Sequence, residues 1–510
     1  MSDWTLGYVA DIGYTYGYYG ELNPLRIKLA FANAGLVAPE TGTACELGFG
    51  QGVSANIHAA ASITTWYGTD FNPAQAGFAQ EMAAASQAKL ELHDQAFAEF
   101  CTRSDLPDFE FIGLHGIWSW ISDENRGIIV DFIRRKLKVG GVLYISYNTL
   151  PGWAAFAPMR HLMTEHAEVL GAHGRGIVSR IDGAIEFADR MLGLNPIYAQ
   201  ANPQVASRVT RLKDMSRHYL AHEYFNRDWH PMHFATMAQW MEPAKVQFAC
   251  SANLLDHVDA INLTDEQQAF LNDIPDTNFR QSVRDFMVNQ QFRRDYWVKG
   301  ARVMTPLDRL EFTRQLRVVL TTPRDSVPNK IEGARGEAQL NEAVYGPLLE
   351  LLASHLPQTV GELESALAGR VGFAQLLQAI LVLGGSGHLH LAQASERLTQ
   401  VKPSCDRLNR SLMQKARSSN DINYLASPMT GGAVSLDRVQ QLFVLARLEG
   451  FQDTSQWAQF AWSIFCAQGQ KLIRDGQTLD DAESNLRELA RLAEHFEAKT
   501  LPLLKAVAIA

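Results

Sequence analysis

The segment Glu46-Leu-Gly-Phe-Gly-Gln-Gly52 sets glycines at 48, 50 and 52 where a short apolar run, Thr43–Leu47, gives way to a helical pattern beginning near Val53. Glycine allows a tight turn and, lacking a Cβ, lets a ligand lie against the main chain. Asp70 closes the next apolar run, Thr65–Asp70, 22 residues after Gly48. At that distance a carboxylate can accept hydrogen bonds from both hydroxyls of a ribose, so loop and acid together suit a nucleoside. Gly50-Gln-Gly52-Val-Ser-Ala55 also satisfies the G-x-G-x-x-A pattern of nicotinamide dinucleotide sites. The alternative role for Asp70 is to cap the helix that starts at Pro73.

Three features favour S-adenosylmethionine over a dinucleotide. Glu46 precedes the first glycine, where an acid can orient the loop and the amino-acid end of the ligand. Asp94 closes the third strand, where it can accept from an adenine amino group or serve as a plain solvated loop acid. Lys138-Val-Gly-Gly141 makes a turn before the fifth strand. The cofactor set is thus Glu46, Gly48, Gly50, Gly52, Asp70 with Phe71, Asp94 with Gln95, and His115.

These residues need a frame. Strands are predicted at Thr43–Leu47, Thr65–Asp70, Lys89–His93, Phe109–His115 and Val142–Tyr147, with helices from near Val53, near Asn72 and over Asp123 to Leu137. Strand-helix alternation of this kind builds a doubly wound α/β sheet, a Rossmann-like fold whose ligands lie beyond the carboxyl ends of the strands. Residues 155–228 are predicted to be a helical insertion capping the sheet. A helix at Pro231–Pro243 and strands at Lys245–Cys250 and Phe292–Lys299 follow, the strands closing the sheet as a hairpin. The N-terminal domain is drawn at 1–305, with a linker in Pro306–Gly333. Helical patterns at Asn341–His355, Thr359–Ala366 and Phe373–Gly384, then alternating Gly387–Leu391, outline a winged-helix-like domain at 306–400; an all-α domain occupies 401–510.

The chain has 510 residues, 46% apolar and 20% charged, enough for several cores. Its net charge of −9 argues against nucleic acid as a partner. The third winged-helix-like helix has no Lys or Arg, which favours packing over DNA reading. Cys45, Cys101, Cys250, Cys405 and Cys466 stand singly, so neither a metal site nor a disulfide framework is expected, and buried thiols in a reducing cytoplasm are. No charged leader and no apolar run of membrane-spanning length is seen, so no membrane insertion is expected.

His115-Gly-Ile-Trp-Ser-Trp120, Ser146-Tyr-Asn-Thr-Leu-Pro-Gly-Trp153, His222-Glu-Tyr-Phe-Asn226, Phe292-Arg-Arg294 and Tyr424–Gly432 spread over most of the chain. With the glycine loop they resemble the class I S-adenosylmethionine-dependent methyltransferases, in particular the bacterial protein-lysine methyltransferases with a methyltransferase regulatory domain. The resemblance implies a methyltransferase core, a middle region, a C-terminal helical domain, a protein lysine as acceptor and a homodimer. A small-molecule methyltransferase and an NAD(P)-dependent oxidoreductase are the alternatives. The tyrosine-rich Tyr14-Thr-Tyr-Gly-Tyr-Tyr19 departs from the pattern and leaves the acceptor open.

A sulfonium methyl is already activated, so a methyltransferase must place a nucleophile in line and remove its proton. For lysine, with a pKa of about 10.4, the neutral amine costs about 4.6 kcal/mol at pH 7, which calls for desolvation or a base. His115 is the candidate proton acceptor and Asn148 and Tyr147 the orienting groups. Tyr16, Tyr18, Tyr19, Trp118, Trp153, His222 and Glu223 are the candidate acceptor-binding residues; the tyrosines can hold an alkylammonium by cation–π attraction or only exclude water. The competing roles are a histidine bonded within the fold for His115, core packing for the tryptophans and a surface helix end for His222 and Glu223.

Overall fold

The computed structural model describes residues 8–9, 12–171, 174 and 176–510. Five parallel strands form first: β1 (Thr43–Leu47), β2 (Thr65–Thr69), β3 (Leu90–His93), β4 (Phe109–Leu114) and β5 (Leu137–Asn148). β6 (Gln247–Ser251) and β7 (Phe292–Val298) complete a sheet of order β3-β2-β1-β4-β5-β7-β6. β7 runs antiparallel to both β5 and β6, so β6 points the same way as the first five. The β6–β7 pair is not a tight hairpin, because helices Asp259–Asn262, Asp265–Asn272 and Thr277–Met287 intervene.

α1 (Pro24–Ala34), α2 (Val53–Ala61), α3 (Pro73–Ser86), α4 (Phe97–Phe100) and α5 (Asp123–Lys136) connect and cover this sheet. Their ends follow local chemistry. Asn72 caps α3 by accepting from the Ala74 backbone N–H, with Pro73 at the first helical position. Ser122 caps α5, which has Asp123 and Glu124 in its first turn and Arg134, Arg135 and Lys136 in its last, each complementing the helix dipole. α5 runs directly into β5, so Lys138–Gly141 belongs to the strand, and the expected turn reduces to Gly140 at φ 82°.

The insertion is helical, with α6 (Ala157–Val169), α7 (Ile177–Gly193), α8 (Ile197–Ala201), α9 (Gln204–Leu212) and α10 (Arg217–Tyr224). Ile177, Ile181, Ala184, Ile185, Ala188 and Leu192 recur every three or four residues on α7 and bury one stripe against Met163, Val205, Val209 and Leu220. The helix expected at Pro231–Pro243 spans Phe234–Met241.

Pro306–Gly333 is not a linker. It contains the helix Pro306–Gln315 and the strand Arg317–Leu320, the middle strand of a three-stranded sheet with Gln358–Thr359 and Leu389–Leu391. Val318, Val319 and Leu320 are fully buried, and this apolar run is too short to stand out among the surrounding turn formers. Helices Glu342–Leu352, Val360–Ala366 and Phe373–Gly385 pack around it in one core with α1 and β7 residues such as Phe31 and Tyr296.

The last segment is helical (Ser395–Lys415, Arg438–Leu448, Thr454–Ala467, Ala482–His495), interrupted by the pairs Tyr424–Ser427/Gly432–Ser435 and Ile473–Arg474/Gln477–Thr478. Its core takes in Val53, Ile57, Ala60 and Ala61 of α2 and Met82 of α3. Every residue of α2 is consequently buried, with the sheet on one side and the C-terminal helices on the other. Four cysteines are buried and free, whereas Cys466 is exposed, contrary to the expectation for all five. No helix among the described residues is long and apolar enough to cross a membrane.

Candidate functional site

Between β1 and α2 the three glycines all adopt positive φ, 72° at Gly48, 56° at Gly50 and 68° at Gly52, which side-chain-bearing residues rarely accept. The Gly48 N–H donates to the Thr69 carbonyl and the Gly50 N–H donates to Asp70 Oδ2 at 2.8 Å. Asp70 Oδ1 accepts from the Asn72 N–H at 3.0 Å. Asp70 therefore clamps the loop to the tip of β2, and the cap of α3 belongs to Asn72. Burial lifts the Asp70 carboxyl to about 6 against these two donors. Glu46 is 2% exposed, its Oε2 has no hydrogen-bond partner, and burial with the nearby Asp70 charge lifts it to about 8. A buried carboxyl oxygen without a donor, beside a loop no Cβ fills, is what the amino-acid end of a ligand would complete.

Residues 8–9 and 12–19 run over this loop. Tyr14 Cδ1 lies 3.4 Å from where a Cβ on Gly50 would stand, and its hydroxyl 3.9 Å from the same point on Gly116. The run is held down at both ends. Val9 N–H donates to Asn226 Oδ1, the carbonyls of Ile12 and Gly13 meet His222 Nε2 (3.0 Å) and His218 Nδ1 (2.9 Å), and Tyr19 N–H donates to Ser54 Oγ. Tyr8 packs edge-on to Phe71 at 5.5 Å and against His222 at 5.4 Å; Tyr14 meets His222 edge-on at 5.0 Å. The rings thus tie the cofactor loop to α10.

At the tip of β4, His115 stacks under Tyr19 at 3.5 Å between ring centres, and its Nδ1 lies 2.7 Å from the Tyr144 hydroxyl. Burial outweighs the Glu21 charge and lowers this imidazole to about 4, so it is neutral near pH 7 and a weak proton acceptor. Asn148 ends β5 buried: its Oδ1 accepts from Trp153 Nε1 at 3.0 Å, and its Nδ2 has no partner. Glu223, partly buried at the end of α10, is lifted to about 8 by burial alone.

Other candidates lie elsewhere. Tyr147 is fully buried away from the tips and donates to Asp295 Oδ2 at 2.9 Å. Trp118 is a core residue, donating to Met232 Sδ and packed edge-on to Trp240. Trp153 sits in the insertion core with Trp229, and the Arg208 guanidinium lies 4.0 Å from its ring centre. Tyr18 faces the C-terminal segment, its hydroxyl accepting from the Ala433 N–H at 3.0 Å, and Tyr16 packs edge-on to Phe78. Asp94 is exposed; the Gln95 carbonyl accepts from the Thr69 hydroxyl.

Sequence reasoning did not single out Tyr8, Tyr219 or Tyr144. Tyr219 was within reach, since it stands four residues before Glu223 and shares its helix face. His218 and His222 have the same spacing and hold adjacent carbonyls of the overlying segment.

A family model described as a predicted methyltransferase regulatory domain matches residues 216–299, from α10 through β7. An uncharacterized protein of Synechocystis sp., sll1526, is 40% identical over 512 residues, covering 99% of each chain. The chain belongs to the same family as sll1526, and its residues 216–299 match the predicted methyltransferase regulatory domain. An uncharacterized protein of Rickettsia prowazekii, RP789, is 26% identical over 296 residues, 56% of this chain and 51% of that one. Among solved structures, PKMT2 from Rickettsia typhi in complex with AdoHcy superposes with a TM-score of 0.69 at 16% identity, covering 95% of this chain and 98% of that one. A second structure of PKMT2 from Rickettsia typhi gives 0.67 at 16% identity over 97% and 98%. The α/β core is thus a class I methyltransferase fold, and the similarity runs through the C-terminal half.

Proposed function

We propose that this chain is an S-adenosylmethionine-dependent methyltransferase that N-methylates lysine side chains of a protein substrate. The observation that carries the first part is the loop of three positive-φ glycines clamped by Asp70 next to the unpartnered Glu46 Oε2. Sheet order supports it against a nicotinamide oxidoreductase: dinucleotide folds run 3-2-1-4-5-6 with parallel strands, whereas here an antiparallel β7 lies between β5 and β6. The lysine acceptor is supported by the whole-length likeness to PKMT2 and by the tyrosines around the strand tips.

In this reading Asp70 takes the ribose hydroxyls, Glu46 and the glycine loop hold the amino-acid end, and Phe71, Asp94 and Gln95 border the base. S-adenosylmethionine supplies a methyl on a cationic sulfur, so an acceptor lone pair forms the new bond while the carbon–sulfur pair leaves with the sulfur. Tyr19 and Tyr14 exclude water above the tips. His115, neutral and held by Tyr144, positions Tyr19. Asn148 offers its free Nδ2–H to the acceptor chain. The reading includes a cytoplasmic homodimer.

Incubation with methyl-labelled S-adenosylmethionine and a fractionated lysate tests it. Label in the protein fraction that elutes as methyl-lysine after acid hydrolysis is the expected result. Label confined to small molecules would overturn the lysine assignment.

A further inference from the structure

Glu223 is a partly buried acid that lacks a cation among the described residues. Among the described residues no Lys, Arg or His pairs with it and no side-chain or backbone donor meets its carboxylate, while its carbonyl accepts from Trp120 Nε1. Aromatic rings stand close by: Tyr219 lies one turn earlier on the same face of α10, and Tyr8 and Tyr14 of the overlying segment pack on the neighbouring His222 at 5.4 and 5.0 Å. The same rings reach the cofactor loop. Tyr8 touches Phe71, Tyr14 covers Gly50, and Tyr19 stacks on His115. Among the described residues the other titratable groups facing this cluster are His218 and His222, both engaged with backbone carbonyls, Asp70 and Glu46 at the strand tips, Tyr424 beside Tyr19, and Tyr224 and Arg208 beside Tyr219.

An ionised carboxylate in such surroundings is unfavourable until a cation joins it, and ring faces add to the attraction for an ammonium. We infer that Glu223, within the cage of Tyr8, Tyr14, Tyr19 and Tyr219, takes up the acceptor as a primary ammonium and accepts its proton; this rests on the methyl-transfer reading above. In that step an N–H bond breaks, the proton passes to a Glu223 oxygen, and the electron pair stays on nitrogen. Glu223 suits the task better than His115: burial lifts its carboxyl to about 8, whereas the imidazole is lowered to about 4 with Nδ1 already engaged.

The probe is Nα-acetyl-lysine amide, titrated calorimetrically into the full chain saturated with S-adenosylhomocysteine, beside Nα-acetyl-norleucine amide. The wild type is expected to bind the lysine probe and not the norleucine probe. Glu223→Gln should weaken lysine-probe binding roughly tenfold or more while S-adenosylhomocysteine affinity stays within about threefold. Should Glu223→Gln fail to fold, Tyr219→Ala carries the test, with a severalfold weaker lysine probe expected. Equal affinity of the lysine probe for wild type and variant, binding of neither probe by the wild type, or loss of S-adenosylhomocysteine instead would overturn the inference. A wild type that binds no S-adenosylhomocysteine defeats the methyl-transfer reading itself, a separate outcome.

Discussion

Two buried polar clusters flank the end of β5. Around Tyr147, the Arg293 guanidinium donates to Asp295, Asp285 and Gln281, and the Tyr147 hydroxyl completes Asp295. Around the strand tips, among the described residues, the buried Glu46 Oε2 and Asn148 Nδ2 have no partners and the partly buried Glu223 carboxylate meets no cation. Both clusters contain carboxyls lifted by burial, but in the first a buried cation offsets the cost and in the second none among the described residues does. Displaced acidity alone therefore does not distinguish a site from a structural network. An unpartnered oxygen does not distinguish them either, since Asp285 Oδ2 also has no hydrogen-bond partner among the described residues; the distinguishing feature is whether a buried guanidinium faces the carboxyls.

If the first cluster is structural, Arg293→Leu is the most damaging change available. It strands Asp285 and Asp295 without a cation and should cost about 3–5 kcal/mol in chemical denaturation. A cost under about 1 kcal/mol would remove the contrast.

Glu46→Gln should act in the opposite direction. The folded protein holds the Glu46 proton up to about pH 8, whereas the unfolded chain loses it near 4.5, so stability of the ligand-free protein falls as pH climbs through that window. Removing the group should raise stability at pH 8 by roughly 2–4 kcal/mol, with the gain vanishing near pH 4.5. Asp70 adds a smaller slope of the same sign between about 3.8 and about 6. Thermal melts of both proteins across this range check the prediction, and parallel profiles would contradict the burial of Glu46 as a charge-bearing group.

The mildest expected change is Tyr18→Phe, which loses the bond from the Ala433 N–H for about 1 kcal/mol and leaves the strand tips untouched. Weakened S-adenosylhomocysteine binding in this variant would show that the C-terminal contact reaches into the site.

Sequence and structure agree where the signal is local. β1, β2 and β4, the starts of α2 and α3 and the extent of α5 follow from apolar runs, glycines and caps within a few residues of each other. They part where a residue's partner lies far along the chain. Tyr14 and Tyr19 face the strand tips while Tyr16 and Tyr18 face Phe78 and Ala433, and nothing in a run without strand or helix period foretells which surface each meets. Tyr147 stood at the right end of the right strand, yet its hydroxyl is taken by Asp295, 148 residues later, and Tyr144 is the tyrosine that meets His115. Val318–Leu320 looked like part of a linker because a central strand of a small sheet needs only a few apolar residues.

The central claim is that the glycine loop and Asp70 hold an adenosine. Calorimetric titration of S-adenosylhomocysteine into wild type and Asp70→Asn tests it most directly. One site per chain is predicted, weakened about ten- to a hundredfold in the variant, as expected when a charged hydrogen-bond acceptor for the ribose is lost. Binding of NAD without S-adenosylhomocysteine, or equal S-adenosylhomocysteine affinity in both proteins, would contradict it.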